Sequence, residues 1–230
     1  MTISALRDEA GKLRGFAKVT QDITERREAE KIRLEARALE ERTNEITLLS
    51  GMASLLQACL TSEEAFSIIG QFAARLFTAE SGALYILSPS RNAVEEASVW
   101  GDHQIGEKVF PPEDCWALRG GHMHYVDESG KAVLCRHVGR WPEVSHLCVP
   151  MTAQGDTLGI FHIHSNPRDA AATKQTIQPL SASKQHLALT VAEQVGLALA
   201  NLKLRETLRI QSVRDPLTGL FNRRFMQESF

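Results

Sequence analysis

The chain has 230 residues, 43% of them hydrophobic, which suffices to fill one sizeable core and implies one or two domains. A formal charge of −2 and a pI near 6.5 exclude the broad basic field that would draw nucleic acid or an anionic membrane, so neither partner is expected. No run approaches the roughly 18 apolar residues of a membrane span. Charge follows Met1-Thr2-Ile3-Ser4 where a signal peptide would be apolar, and Cys59, Cys115, Cys135 and Cys148 form no Cys-x-x-Cys pair; these features point to a cytoplasmic chain whose cysteines are free thiols or ligands.

From Arg7 to Glu30 the pattern predicts strand, turn, strand and then helix. The turn is Asp8-Glu9-Ala10-Gly11, and Leu13, Gly15, Ala17 and Val19 alternate after it. Thr20-Gln21-Asp22-Ile23-Thr24-Glu25-Arg26-Arg27 resembles the exit of a PAS domain, which assigns residues 1–26 to the C-terminal remnant of such a domain. Two strands cannot close a core, so the remnant is expected to be poorly ordered or docked elsewhere.

Residues 27–46 predict a coiled-coil linker helix. Ala29, Ile32, Ala36, Leu39, Thr43, Ile46, Ser50 and Ala53 recur three and four apart among Glu, Arg and Lys, the spacing of a heptad seam. A parallel homodimer is the expected partner arrangement. Ala, Thr and Ser in the seam predict a weak zipper, suited to a helix that changes register or rotation.

The middle of the chain, residues 47–186, predicts an α+β domain. Two amphipathic helices come first, the earlier with Ile46, Leu48, Leu49, Met52, Leu55 and Leu56, the later beginning after Thr61-Ser62-Glu63-Glu64, a polar cap with acidic residues in the first turn. Ala83–Leu87 and Ala93–Trp100 predict one hairpin; His146–Met151 and Thr157–His164, joined through Ala153-Gln154-Gly155-Asp156, predict a second. The phrase Leu147-Cys148-Val149-Pro150-Met151-x-Ala153-x-Gly155-x-x-Leu158-Gly159, in this order of elements, resembles a GAF domain. That resemblance implies an antiparallel sheet with helices on one face and a small-molecule pocket on the other.

The segment between the hairpins holds the unusual chemistry. Asp114-Cys115-Trp116-Ala117-Leu118-Arg119 is similar to a motif of one subset of cyclase-linked GAF domains, and Cys115, Trp116, Arg119, His124, Cys135, His137 and Cys148 are the candidate ligand-binding residues. Three readings stand open, and no cofactor is assigned. Thiolates and imidazoles suit zinc, iron or haem, with Cys135 and His137 placed on one face of a strand. A thiol could carry a bilin, as in related GAF domains. Alternatively the cysteines are small buried apolar residues under a Trp116 lid. Convergence of Cys115, Cys135 and Cys148 would also allow thiol redox chemistry. In the last strand Phe161 and Ile163 are expected to face the helices, and His162 and His164 the ligand or solvent, with His164 in solvent. Trp100, Phe110 and Trp141 are candidate cavity walls.

Residues 187–213 predict a signalling helix, with Val195, Ala198 and Leu202 continuing the dimer seam begun by Ile32, Ala36, Leu39 and Ile46. Residues 214–230, opening with Asp215-Pro216-Leu217-Thr218-Gly219-Leu220-Phe221-Asn222-Arg223-Arg224, resemble the start of a GGDEF diguanylate cyclase domain. The Gly-Gly-Asp/Glu-Glu-Phe loop is not in the chain, so these residues are expected to sense and transmit, not to catalyse. The resemblances together imply the sensory region of a PAS-GAF-GGDEF protein, a homodimer that binds a small ligand and relays its signal to a GGDEF domain in cis. A constitutive dimerisation scaffold without ligand, or a metal- or haem-binding sensor, is the alternative.

Overall fold

The computed structural model describes residues 2–19, 24–102, 106–127, 132–139, 145–165, 179–213 and 220. They fall into two units, Met1–Ile46 and Thr47–Phe230.

In the first unit β1 (Thr2–Arg7) and β2 (Leu13–Val19) pair antiparallel. Asp8 builds the turn between them: its Oδ1 accepts the Ala10 amide at 3.1 Å and the Lys12 amide at 2.9 Å, and Gly11 takes φ 79°. The PAS-like Thr20–Ile23 lies outside the described residues; Thr24 opens α1 (Thr24–Ala58). This helix does not stop at the expected linker boundary. It runs unbroken into the second unit, where Leu48, Met52 and Leu56 enter the core while Ile46 and Leu55, expected on the same face, stay exposed.

The second unit is built on one antiparallel sheet of six strands in the order β5-β4-β3-β8-β7-β6. These are β3 (Glu80–Leu87), β4 (Val94–Trp100), β5 (Val109–Phe110), β6 (His124–Val126), β7 (His146–Ala153) and β8 (Asp156–Ser165). Both predicted hairpins are present. In the β7–β8 hairpin Ala153 pairs with Asp156, and Gln154 and Gly155, at φ 54° and 83°, form a two-residue turn with both residues left-handed, matching the twist of the strands. Gly159, in the Leu-Gly step of the motif, is required by closeness: a Cβ there would meet the Tyr85 carbonyl of β3.

The period of two along the strands divides the buried residues into two layers. Odd-numbered Leu147, Val149, Met151, Phe161 and Ile163 face α1, α2 (Ser62–Leu76) and α4 (Ala182–Val213), the main core. The Thr61 side chain caps α2 by accepting the Glu64 amide. Trp100 belongs to this layer, stacked on Phe161 at 4.9 Å, and so is not a wall of the opposite cavity as expected. Trp141 lies outside the described residues.

By length and composition Ala182–Arg209 of α4 could cross a membrane, which the count of consecutive apolar residues did not anticipate. In the fold this apolarity is spent on the sheet: Leu187, Ala188, Val191, Ala192, Val195, Leu199 and Leu202 are buried in the main core. Val195 and Leu202 therefore do not form a free dimer seam, and Ala198 is packed against the same core. Among the described residues, the large apolar side chains that α4 leaves exposed are Leu197, Leu204 and Leu208. Arg205 donates to the Gln57 carbonyl at 3.2 Å, holding α4 beside the end of α1.

Candidate functional site

The even-numbered His146, Cys148, Ile160, His162 and His164 of the same strands face away from the helices. His146 and Cys148 of β7 stand opposite His164 and His162 of β8, and Ala83 of β3 stands beside His162. Over this face folds the segment between the hairpins. It contributes Phe110, Cys115 at the start of α3 (Trp116–Gly120), Ala117, Cys135, which caps a 3-10 turn, Arg136–Val138, and Val138, which ends it. Cys135 and His137 thus sit on a tight turn and not, as expected, on one face of a strand. The consequence for the site is the same, since both side chains point inward and are buried.

Cys115 Sγ, Cys135 Sγ, a His137 ring nitrogen and Cys148 Sγ all lie within 4.8 Å of one another, and all four residues are buried. His137 Nε2 stands 3.5 Å from Cys148 Sγ, and the Trp116 amide donates to Cys135 Sγ at 3.4 Å. The His137 ring is fixed by stacking on Phe110 at 4.2 Å. Asp114 and Arg136, neighbours of Cys115 and Cys135, approach to 3.7 Å at the surface and tie the two ligand-bearing turns together.

The thiols share their protons unequally. Hydrogen bonds from Cys115 and then Cys148 hold the Cys135 pKa well below the usual thiol range, with His137 and His146 acting in the same direction. Cys115, donating to Cys135, is pushed up to about 12, and Cys148 is raised by the same hydrogen bonds and by burial. Beside them His162 is wholly buried, and neither ring nitrogen has a hydrogen-bond partner; burial first, and then His164, His137 and His146, hold it neutral. His146 lies near enough to favour the Cys135 thiolate, although neither of its nitrogens makes a regular hydrogen bond.

Of the candidate ligand residues the fold brings together Cys115, Cys135, His137 and Cys148. The others lie outside the cluster. Exposed Arg119 stacks on half-buried Trp116 at 4.0 Å, and His124 engages the Val133 carbonyl at 2.7 Å. Trp116 serves the cluster through its backbone. His164, expected in solvent, is buried against β3 and β7. His146 and His162 belong to the site's surroundings; the alternation that pairs His146 with Cys148 on one face was the signal for the first.

This face is packed with its own side chains. Among the described residues the cavity there has about 40 Å³, lined by Ala83, Tyr85, Val99 and His164 among others. Organic ligands of drug or cofactor size occupy about 300–1,000 Å³, so neither haem nor a bilin fits the described face. A groove of about 620 Å³ opens on the helix side, between the start of α2, the β3–β4 turn and α4, with Phe66, Arg91, Leu158 and Lys203 in its wall. None of the candidate residues reaches it.

The family model for the GAF domain matches residues 61–199. The chain belongs to the GAF family. GAF domains are sensory and regulatory modules, and the curled antiparallel sheet with helices on one face is their fold. Among solved structures, the phycocyanobilin-bound GAF domain from a cyanobacterial phytochrome shares 14% identity at a TM-score of 0.55, over 70% of this chain and 96% of that one. The GAF domain of A. aeolicus nlh2 in an inactive state shares 15% at 0.52, over 72% and 99%. The free methionine-R-sulfoxide reductase from Neisseria meningitidis, in complex with its substrate, shares 13% at 0.52, over 69% and 89%. At such identities the likeness is one of fold. No curated protein sequence matches the chain.

Proposed function

We propose that this GAF domain is the regulatory region of a diguanylate cyclase, acting on a GGDEF domain in cis that begins near Asp215. The observation that carries the reading is α4: one helix packs along β7 and β8 and continues without a break to Val213, directly before the GGDEF-like Asp215-Pro216-Leu217-Thr218-Gly219. Any change in the sheet is a change in the seat of this helix. A diguanylate cyclase joins two GTP molecules held by two domains, so a rotation of paired helices alters whether those domains face each other. The apolar residues left exposed on α1 (Ile32, Leu39, Ile46) and on α4 (Leu197, Leu204, Leu208) supply the pairing surfaces of a homodimer. The PAS-like hairpin stands upstream in the order that such a sensor would use.

The experiment is to place residues 1–213 ahead of a GGDEF domain and to insert four or seven residues after Val213. Seven residues restore the heptad phase and four rotate it. Cyclic di-GMP formation should be retained with seven and changed severalfold with four. Equal output from both insertions would overturn the relay. The packing of the outer face supports a second reading, a dimerisation scaffold with no diffusible ligand on that face; it predicts output indifferent to small molecules while still sensitive to helix phase.

A further inference from the structure

We infer that Cys115, Cys135, His137 and Cys148 form a tetrahedral site for a zinc-class divalent cation, and that the ion fastens the segment between the hairpins onto the outer face of the sheet. Three thiolates and one imidazole are a donor set of structural zinc sites, with Zn–S bonds of about 2.3 Å and Zn–N bonds of about 2.0–2.1 Å. A tetrahedron with such bonds has edges of roughly 3.5–3.8 Å. The 3.5 Å from His137 Nε2 to Cys148 Sγ is already such an edge, and the remaining donors, all within 4.8 Å, need only close by about an ångström.

The donors come from three separate pieces of chain: the start of α3, the 3-10 turn and β7. An ion held by all three would crosslink pieces that otherwise meet through small apolar contacts, a few weak sulfur hydrogen bonds and the surface Asp114–Arg136 pair. A backbone amide supports one of the sulfurs, Trp116 on Cys135, as the outer contacts of metal thiolates do. Buried cysteine alone usually means apolar packing. Here an imidazole nitrogen is aimed at one of three mutually close sulfurs, and a second imidazole, His162, lies fully buried opposite Cys148 with both nitrogens unpartnered. Packing gives no reason to gather three thiols and the His137 imidazole at one buried point; an ion does, with His162 beside it in the surrounding layer. All four positions are filled by protein donors, which makes the site closed and structural, with no vacant position for catalysis.

The test uses the whole 230-residue chain, purified under reducing conditions. Metal analysis should find one zinc per chain. Replacement by Co²⁺ should give the sulfur-to-cobalt charge-transfer band and the intense visible bands of a tetrahedral thiolate site. Chelation should lower the melting temperature and added Zn²⁺ should restore it. Cys148→Ser and His137→Ala should lose the equimolar zinc, whereas Cys59→Ser, whose thiol is buried in the helical layer on the Leu55 carbonyl, should keep it. Because Cys148→Ser could fail to fold, the cobalt spectrum of the unmodified chain decides independently. A reduced, folded chain that takes up neither Zn²⁺ nor Co²⁺, or a Cys59→Ser variant that loses the metal, would overturn the assignment.

Discussion

Tyr85 shows how a single side chain closes the outer layer. It is 1% exposed, its ring meets Phe110 edge-on at 5.2 Å, and it stands 6.1 Å from His137. Burial, reinforced by the charges of Glu96 and Cys148, raises its pKa above the ordinary phenol value near 10. Above pH 10 the unfolded chain releases this proton and the folded chain keeps it. Stability contributed by the neutral phenol is therefore complete below that pH and falls as pH rises, by about 1.4 kcal/mol per pH unit for one group. Tyr85→Phe should flatten this part of the alkaline slope of unfolding free energy, measured by urea titration between pH 9 and 11. An unchanged slope would mean that the hydroxyl reaches solvent. At this scale the sequence was informative about which residue types mattered and poor about their placement. The heteroatoms of Cys115, Cys135, His137 and Cys148 could be named, but His124 carries the same imidazole as His137 and differs only in where the chain places it, on the Val133 carbonyl. No periodicity describes a 3-10 turn, so its inward face was not legible.

Among the elements, α4 separates two tasks along one helix. Leu202 is buried in the main core, while Leu204, two residues on, is about half exposed. Truncating a buried leucine leaves a cavity and costs about 2–5 kcal/mol, whereas an exposed one costs within roughly 0.5 kcal/mol. Leu202→Ala should therefore lower the denaturant midpoint markedly and Leu204→Ala hardly at all. Leu204→Glu, on the exposed stripe, should instead weaken self-association in sedimentation velocity without changing the midpoint. The reverse pattern would put the interface on the Val195–Leu202 side and the sheet on the other. The helices and hairpins themselves were legible because each carries a full period: two along β7 and β8, three to four along α2 and α4. The division of α4 was not, since Val195, Ala198 and Leu202 fit both a heptad seam and a domain-facing stripe. Sequence spacing fixes which residues share a face, but only the sheet decides what that face meets. The place of the β7–β8 turn was legible but not its length: Ala153 and Asp156, expected in the connection, pair as strand residues, and only Gln154-Gly155 takes the left-handed pair of angles that a two-residue hairpin demands.

On the scale of the whole chain, every described buried core residue lies between Leu48 and Leu202, whereas α1 begins at Thr24. The residues before Thr47 form a separate unit, and along Ile32, Leu39 and Ile46 they expose apolar side chains that a monomer gains nothing by displaying. In the proposed homodimer, pairing is the task left to them. A fragment of residues 47–213 should then unfold cooperatively with nearly the thermal midpoint of the full chain. For a domain of this size each kcal/mol lost shifts the midpoint by about 2–4 °C, so a difference of a few degrees marks negligible core loss. The same fragment should dissociate at concentrations where residues 1–213 remain paired, because only the α4 stripe would be left to hold two copies together. Calorimetry and sedimentation equilibrium on the two fragments decide the matter jointly. A large fall in midpoint would show that residues 1–46 complete the GAF core, and undiminished pairing would move the dimer contact wholly into the GAF domain and α4.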